Sequence, residues 1–156
     1  MRARTLGAAV LAATVTLAVA ACGGGASRGQ LTQSPSEYGA PTAEQAVRTF
    51  LDAAGQEQYP TMGRVFGTRQ GPAEARLGVT NVEQRMIVLA GLLQHDGYTL
   101  RPSTLTEPEP HSRRFNATMT GTRQGEVTVP IFAVRSESGR WFVERLDTAP
   151  LTTGSP

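Results

Sequence analysis

A chain of 156 residues has room for one folded domain and not for two. Its 39% apolar content permits a small packed core, and its single cysteine excludes an internal disulfide. All 15 basic residues are arginines, a bias of composition; without Arg2 and Arg4, which fall in a leader segment, 13 arginines face 13 acidic residues. A near-neutral chain of this kind argues against the concentrated basic surface that nucleic-acid binding needs.

In chain order, Met1–Arg4 is short and basic, Leu6–Val19 is an apolar run, and small residues then lead to Cys22. This is the three-part order of an export signal. The run is shorter than the roughly 20 residues of a permanent membrane span. Val19-Ala20-Ala21-Cys22 resembles the lipobox of bacterial lipoproteins, in which an aliphatic residue and two small residues precede an obligatory cysteine. The resemblance implies cleavage between Ala21 and Cys22. It also implies a diacylglyceryl group, carrying palmitate-type chains, on the Cys22 thiol. Two or three acyl chains anchor a protein stably where one does not, since each buried methylene contributes about 0.8 kcal/mol. Residues 1–21 are thus expected to be a signal peptide and residues 22–41 a lipid-anchored tether. Gly23–Pro41 is rich in glycine, serine and proline and has no apolar period, as flexible coil requires; such a coil would reach about 25 Å. The expected location is the cell envelope, on an outer membrane or on the outer face of the cell membrane.

Residues 42–149 carry the periodic patterns of a folded domain. Thr42 and Gln45 form a capping-box start. Ala43, Ala46, Val47, Phe50, Leu51 and Ala54 follow helical spacing, which predicts a helix over 43–54 ended near Gly55. A second helix is predicted over 56–66, with Pro60 tolerable only near its first turn and Tyr59, Met62, Val65 and Phe66 toward the core. Residues 67–78 read as a loop. Thr68-Arg69-Gln70-Gly71 there lacks the glycine spacing and lysine of a phosphate-binding loop. Thr80 or Asn81 is expected to cap the strongest helix. Its apolar side combines Val82, Met86, Leu89 and Leu93 with Ile87, Val88, Ala90 and Leu92, and it should end at His95-Asp96-Gly97. That stripe reads as core.

After Gly97 the period shifts to two. Strands are expected over 98–101, 114–122, 126–135 and 140–147. Residues 104–111 form a loop, and turns fall at Arg123-Gln124-Gly125 and Ser138-Gly139. Phe115, Ala117 and Met119 share one face of the second strand. Val127, Val129 and Ile131 share one face of the third, where Pro130 argues for an edge or a bulge. In the last strand Trp141 and Val143 lie opposite Phe142 and Leu146. Residues 150–156 are expected to be a disordered tail. Helices first and an antiparallel sheet afterwards make an α+β domain.

The helix opening at Thr42–Ala54, the second helix through Val65-Phe66, and the closing stretch Arg140-Trp141-Phe142-Val143-Glu144-Arg145-Leu146 together resemble the nuclear-transport-factor-2-like and ketosteroid-isomerase-like superfamily. That resemblance implies N-terminal helices packed on a curved, cone-like sheet that encloses a pocket, with Tyr59, Met119 and Trp141 as candidate lining residues. It carries over no catalytic residue. The fold hosts enzymes, binders and assembly modules alike.

Chemistry-bearing groups are few. His95-Asp96 is the only adjacent acid–base pair, but sequence neighbours at a helix end rarely face each other, so a helix-terminal histidine and a turn aspartate are expected. His111 sits near Glu107 and Glu109, too few ligands for zinc. No hydrolase elbow, metalloprotease helix or nucleotide fingerprint is present. Arg113-Arg114 reads as a basic patch at an exposed strand edge. Asn116-Ala117-Thr118 matches a glycosylation sequon without standing in a bacterial lipoprotein. The expected function is a membrane-tethered, non-catalytic binding or interaction module of the envelope, with no cofactor, metal or nucleic acid. Its partner would be an envelope protein or a small apolar or amphipathic ligand. An isomerase- or hydrolase-like enzyme, or an assembly factor, is the alternative.

Overall fold

The computed structural model describes residues 38–104 and 110–152. The lipobox, the cleavage position, Cys22 and the greater part of the expected tether lie outside the described residues, as do Glu107 and Glu109. No helix among the described residues is long and apolar enough to cross a membrane.

Helix α1 (Ala43–Gly55) begins where the cap predicts: the Thr42 hydroxyl accepts from the Gln45 backbone N–H at 3.2 Å. Its apolar stripe is fully sunk, with Val47, Phe50, Leu51 and Ala54 inaccessible to solvent. The stripe packs against the sheet and against two other helices. Helix α2 (Tyr59–Arg64) is shorter than expected and starts three residues later. Pro60 occupies its first turn, the one place in a helix where a missing N–H is harmless. Glu57, at φ 54°, turns the chain between the two helices.

The expected loop over 67–78 contains a small hairpin, β1 (Gly67–Thr68) with β2 (Gly71–Pro72), and one helical turn, α3 (Glu74–Leu77). Helix α4 (Val79–Leu92) follows. Its cap is Gly78 at φ 79°, not Thr80 or Asn81; the Asn81 amide instead donates to the Leu77 carbonyl at 2.7 Å. The helix stops at Leu92, short of His95. Its buried stripe is also narrower than hydropathy suggests. Val82, Met86, Ala90 and the following Leu93 are core, but Ile87 and Val88 are 47% and 64% exposed. Successive helical residues are about 100° apart, so four consecutive apolar residues cannot all face one neighbour.

Strands β3 (Gly97–Pro102), β4 (Ser112–Thr122), β5 (Gly125–Arg135) and β6 (Trp141–Leu146) form an antiparallel meander in that spatial order. The domain is therefore α+β, with helices on one face of the sheet. Phe115, Ala117 and Met119 of β4 and Val129, Ile131 and Ala133 of β5 point into the core. β5 is an inner strand, yet Pro130 interrupts nothing. Its carbonyl accepts from the Asp147 N–H at 2.9 Å, so that side of Pro130 faces the chain just beyond the end of β6. Its missing donor falls where the β6 ladder has already stopped. Arg113-Arg114 lie at the start of β4 as expected; this strand is an inner one, but its pairing with β3 begins only at Phe115, with the Ser103 N–H donating to the Arg114 carbonyl.

A bulge lies between β5 and β6. Ala133 pairs with Val143 while Phe132 pairs with Arg145, leaving Glu144 as the extra residue. This reverses the alternation that the sequence suggests. Leu146, expected beside Phe142, sits opposite Ile131 and packs on the core. Phe142 faces the other way and is nevertheless buried, because Gly39 and Gly67 pass close over its ring.

Both ends of the domain extend past the predicted limits. Tyr38–Pro41, expected in the tether, are docked. Ala40 bridges Trp141 with two 2.8 Å bonds, and the Gly39 N–H donates to the Arg64 carbonyl. The Arg140 guanidinium donates to the carbonyls of Tyr38 at 3.1 Å and Gly39 at 2.7 Å. At the other end, α5 (Ala149–Thr152) replaces the start of the expected tail, with Leu151 buried and Asp147 accepting from the Ala149 N–H.

Gly39 tests the new N-terminal boundary. It has φ +68°, and a Cβ there would lie 2.8 Å from the Phe142 ring. Gly39→Ala should cost about 1–3 kcal/mol and lower Tm by several degrees in a thermal melt. An unchanged Tm would place residue 39 outside the folded unit.

Candidate functional site

The candidate lining residues do not meet in one cavity. Met119 is fully buried in the core, Tyr59 borders a cavity of about 150 Å³ with Tyr38 and Glu74, and Trp141 borders a separate groove. The space between helices and sheet is filled by side chains of α1, α2 and α4.

Among the described residues a groove of about 920 Å³ lies at the end of the sheet where β4, β5 and β6 meet the start of α1. Its walls combine cations with aromatic rings. Arg69, Arg113, Arg114 and Arg145 supply the first, and Phe115, Phe132 and Trp141 the second. Two carboxylates also line it. Glu44 is held by Arg48 at 2.8 Å, one helical turn along α1, and Glu144 is the bulge residue.

Strand alternation distributes the arginines. Arg113 falls in the row of Phe115 and Ala133, on the helix side, and its guanidinium carbon lies 5.7 Å from the Trp141 ring centre. Arg114 falls in the opposite row, across from Phe132, with 5.4 Å between guanidinium carbon and ring centre. Arg145 reaches the same ring from β6 at 3.9 Å. Arginine over an aromatic face gains about 0.5–2 kcal/mol, more when water is excluded. Stacking engages the flat faces of a guanidinium and leaves its in-plane N–H groups to find acceptors. Arg114 and Arg145 form no ion pair among the described residues, and the Arg114 Nε is buried without a hydrogen-bond partner.

A second polar cluster lies at the far end of α1. The Tyr98 hydroxyl donates to Asp52 at 2.8 Å, and the His95 and Tyr98 rings meet edge to face at 5.5 Å. Burial, followed by the bond to Asp52, pushes the Tyr98 phenol up to about 12. His95 Nδ1 lies 2.6 Å from the Leu93 carbonyl, which can only accept, so that nitrogen is the donor. The Asp96 backbone N–H donates to the Thr120 carbonyl, so the two adjacent residues are tied to different partners, as the helix-end reading expects. His111 sits at the opposite end of the sheet, its carbonyl accepting from the Arg135 N–H at 2.8 Å. No group of three His, Cys, Asp or Glu side chains among the described residues could hold a metal ion.

Sequence reasoning found Arg113-Arg114 and Trp141 but missed Arg145 and Phe132 as their companions. The missing signal is the bulge, because regular alternation would set Glu144, not Arg145, across from Phe132.

No protein-family model matches the chain, and no curated protein matches it. Among solved structures the chain is similar to a crystal structure from Shewanella frigidimarina NCIMB 400 described as a "putative ketosteroid isomerase". Identity is 12%, the match covers 67% of this chain and 91% of that one, and the TM-score is 0.41. That likeness assigns this chain no activity.

Tyr98 gives a pH test. Its folded pKa lies above the ordinary phenol value of 10, so the folded state favours the protonated form. That contribution to stability is complete below pH 10 and is lost as pH rises from 10 toward 12. Thermal melts should show the unsubstituted protein losing Tm faster than Tyr98→Phe over this window. Parallel curves would show that the phenol is not the group responsible.

Proposed function

We propose that the protein is a lipid-anchored module of a bacterial cell envelope whose domain binds a small amphipathic anion in the groove at the end of the sheet. The observation that carries this reading is the groove's composition, guanidinium groups set against aromatic faces. Rings take an apolar body, and the in-plane N–H groups of Arg114 and Arg145 can donate to a negative group. A volume of about 920 Å³ falls within the usual size of small-molecule sites. The anchoring half of the proposal is supported by the order of the leader and by Val19-Ala20-Ala21-Cys22. An anchored, non-catalytic binder would hold its ligand near the membrane surface. An assembly factor would be favoured by an apolar outer sheet face; here that face carries the pairs Thr118–Thr128 and Asn116–Pro130 beside the arginines.

Trp141 is the only tryptophan in the chain and borders the groove, so its emission reports occupancy directly. Titration with laurate below its micelle concentration should give a saturable change. Dodecanol should bind about tenfold more weakly, a difference of about 1.4 kcal/mol. Equal binding of the two, or none, would refute the anion site. For the anchor, Cys22→Ser should abolish incorporation of labelled palmitate; continued labelling would refute lipidation at that residue.

A further inference from the structure

We infer that the negative group of the ligand is a phosphate, held on the outer face of the sheet between Arg114 and Arg145 beside Phe132; this deepens the groove reading and rests on it. Arg114, Phe132 and Arg145 form a single row across β4, β5 and β6, with each arginine directly opposite the ring's residue. Side chains directly opposite in an antiparallel pair share a face. Two guanidinium groups are therefore brought to one ring, at 5.4 and 3.9 Å from its centre.

Such an arrangement is electrostatically incomplete by itself. Phe132 stands in the middle of the row with one guanidinium from each neighbouring strand against its ring, and a ring offers neither of them a full counter-charge. Neither arginine forms an ion pair among the described residues, and Glu144, the nearest carboxylate in sequence, makes no salt bridge with either. The Arg114 Nε is buried with no acceptor among the described residues, which leaves the terminal N–H groups of this guanidinium as its means of reaching an oxyanion.

The backbone is arranged to produce this pairing. Were β6 paired regularly, Glu144 would lie across from Phe132 and Arg145 would project to the core side, so the bulge is what lets the pair form. Bulges re-aim side chains in this way and are common beside functional sites.

Phosphate fits the pair better than carboxylate does. A carboxylate has one charge and two oxygens, which one guanidinium fork already satisfies. A phosphate monoester carries about −1.5 to −2 charges at pH 7 with three strong acceptor oxygens, enough for two forks at once. The phosphate can belong to a free phosphomonoester or to a lipid headgroup, and the two sources are separable by experiment.

The intact protein is titrated with inorganic phosphate and glycerol phosphate by calorimetry, with acetate as the carboxylate control. Both phosphates should bind at least about tenfold more tightly than acetate. Arg114→Gln and Arg145→Gln should each weaken phosphate about tenfold or more, while Arg123→Gln, in the distant β4–β5 turn, should leave it unchanged. Arg145→Lys keeps the charge without the fork and should fall between. Tm is measured for every variant, and a variant that does not fold is replaced by its lysine counterpart. Cosedimentation with phosphatidate against phosphatidylcholine vesicles identifies the source. Phosphatidate binding lost in Arg145→Gln indicates a headgroup, and binding of the soluble ester alone indicates a free metabolite. Phosphate binding that is absent, or that falls equally in Arg123→Gln, overturns the inference. If laurate still shifts Trp141 emission in that case, the groove reading survives; if it does not, both fall.

Discussion

Helix α1 has no exposed apolar stripe because β5, β6 and the helices α2 and α4 together cover it. Phe50, Leu51 and Val47 are inaccessible to solvent, and each such side chain contributes about 1.5–3 kcal/mol on burial. This contact sets the positions of the remaining elements. α2 and α4 pack on α1 and on each other, and the core is closed from the sheet side by Met119, Val129 and Ile131. With the interior filled in this way, the space available for a ligand lies at the end of the sheet, where the first turn of α1 leaves an open corner against Trp141.

The bulge at Glu144 decides what that corner contains. A strand of strict alternation would send Val143 inward, Glu144 outward and Arg145 inward. A buried arginine with no partner would then sit against the helices, at a cost of several kcal/mol. One extra residue avoids this. Val143 and Leu146 both reach the core, and Arg145 turns outward onto Phe132. The same local irregularity thus completes the hydrophobic core and brings the second guanidinium to the outer face. Packing and charge placement here are one event, which explains how a six-residue strand with an interrupted ladder is retained next to the groove.

The parts of this fold that depend on local chemistry were legible in the sequence. Thr42 and Gln45 announce α1, and glycine-containing turns mark the hairpins. Alternation assigns Phe115, Ala117 and Met119 to the core. What was not legible depends on partners far away in the chain. Tyr38–Pro41 reads as linker by composition, and its docking comes from Arg140, 102 positions from Tyr38. Ile87 and Val88 read as core because hydropathy shows how apolar a helix is, not how much of its circumference neighbours will cover. Arg114, Phe132 and Arg145 span 31 positions, and their meeting requires the register of two strand pairs plus one bulge. No pattern within a window of ten residues encodes that. Arg113-Arg114 was visible as a basic pair, but its place on an inner strand was not.

Net charge conceals the arrangement for a related reason. Acidic and basic residues balance in number once the leader is set aside, yet a balanced total does not balance each region. On the helix side the acids are engaged, Glu44 with Arg48, Asp52 with Tyr98 and Glu74 with Tyr38. At the end of the sheet, Arg114 and Arg145 stack on Phe132 and form no ion pair among the described residues. A neutral chain can therefore present a positive corner. The corner is small, and that restricts what it can hold. Nucleic acid binds tightly by neutralising phosphate after phosphate along an extended track. Here the outer-face cations are two, Arg114 and Arg145, set against one aromatic ring at the end of a single sheet, a geometry suited to one anionic group with an apolar body attached.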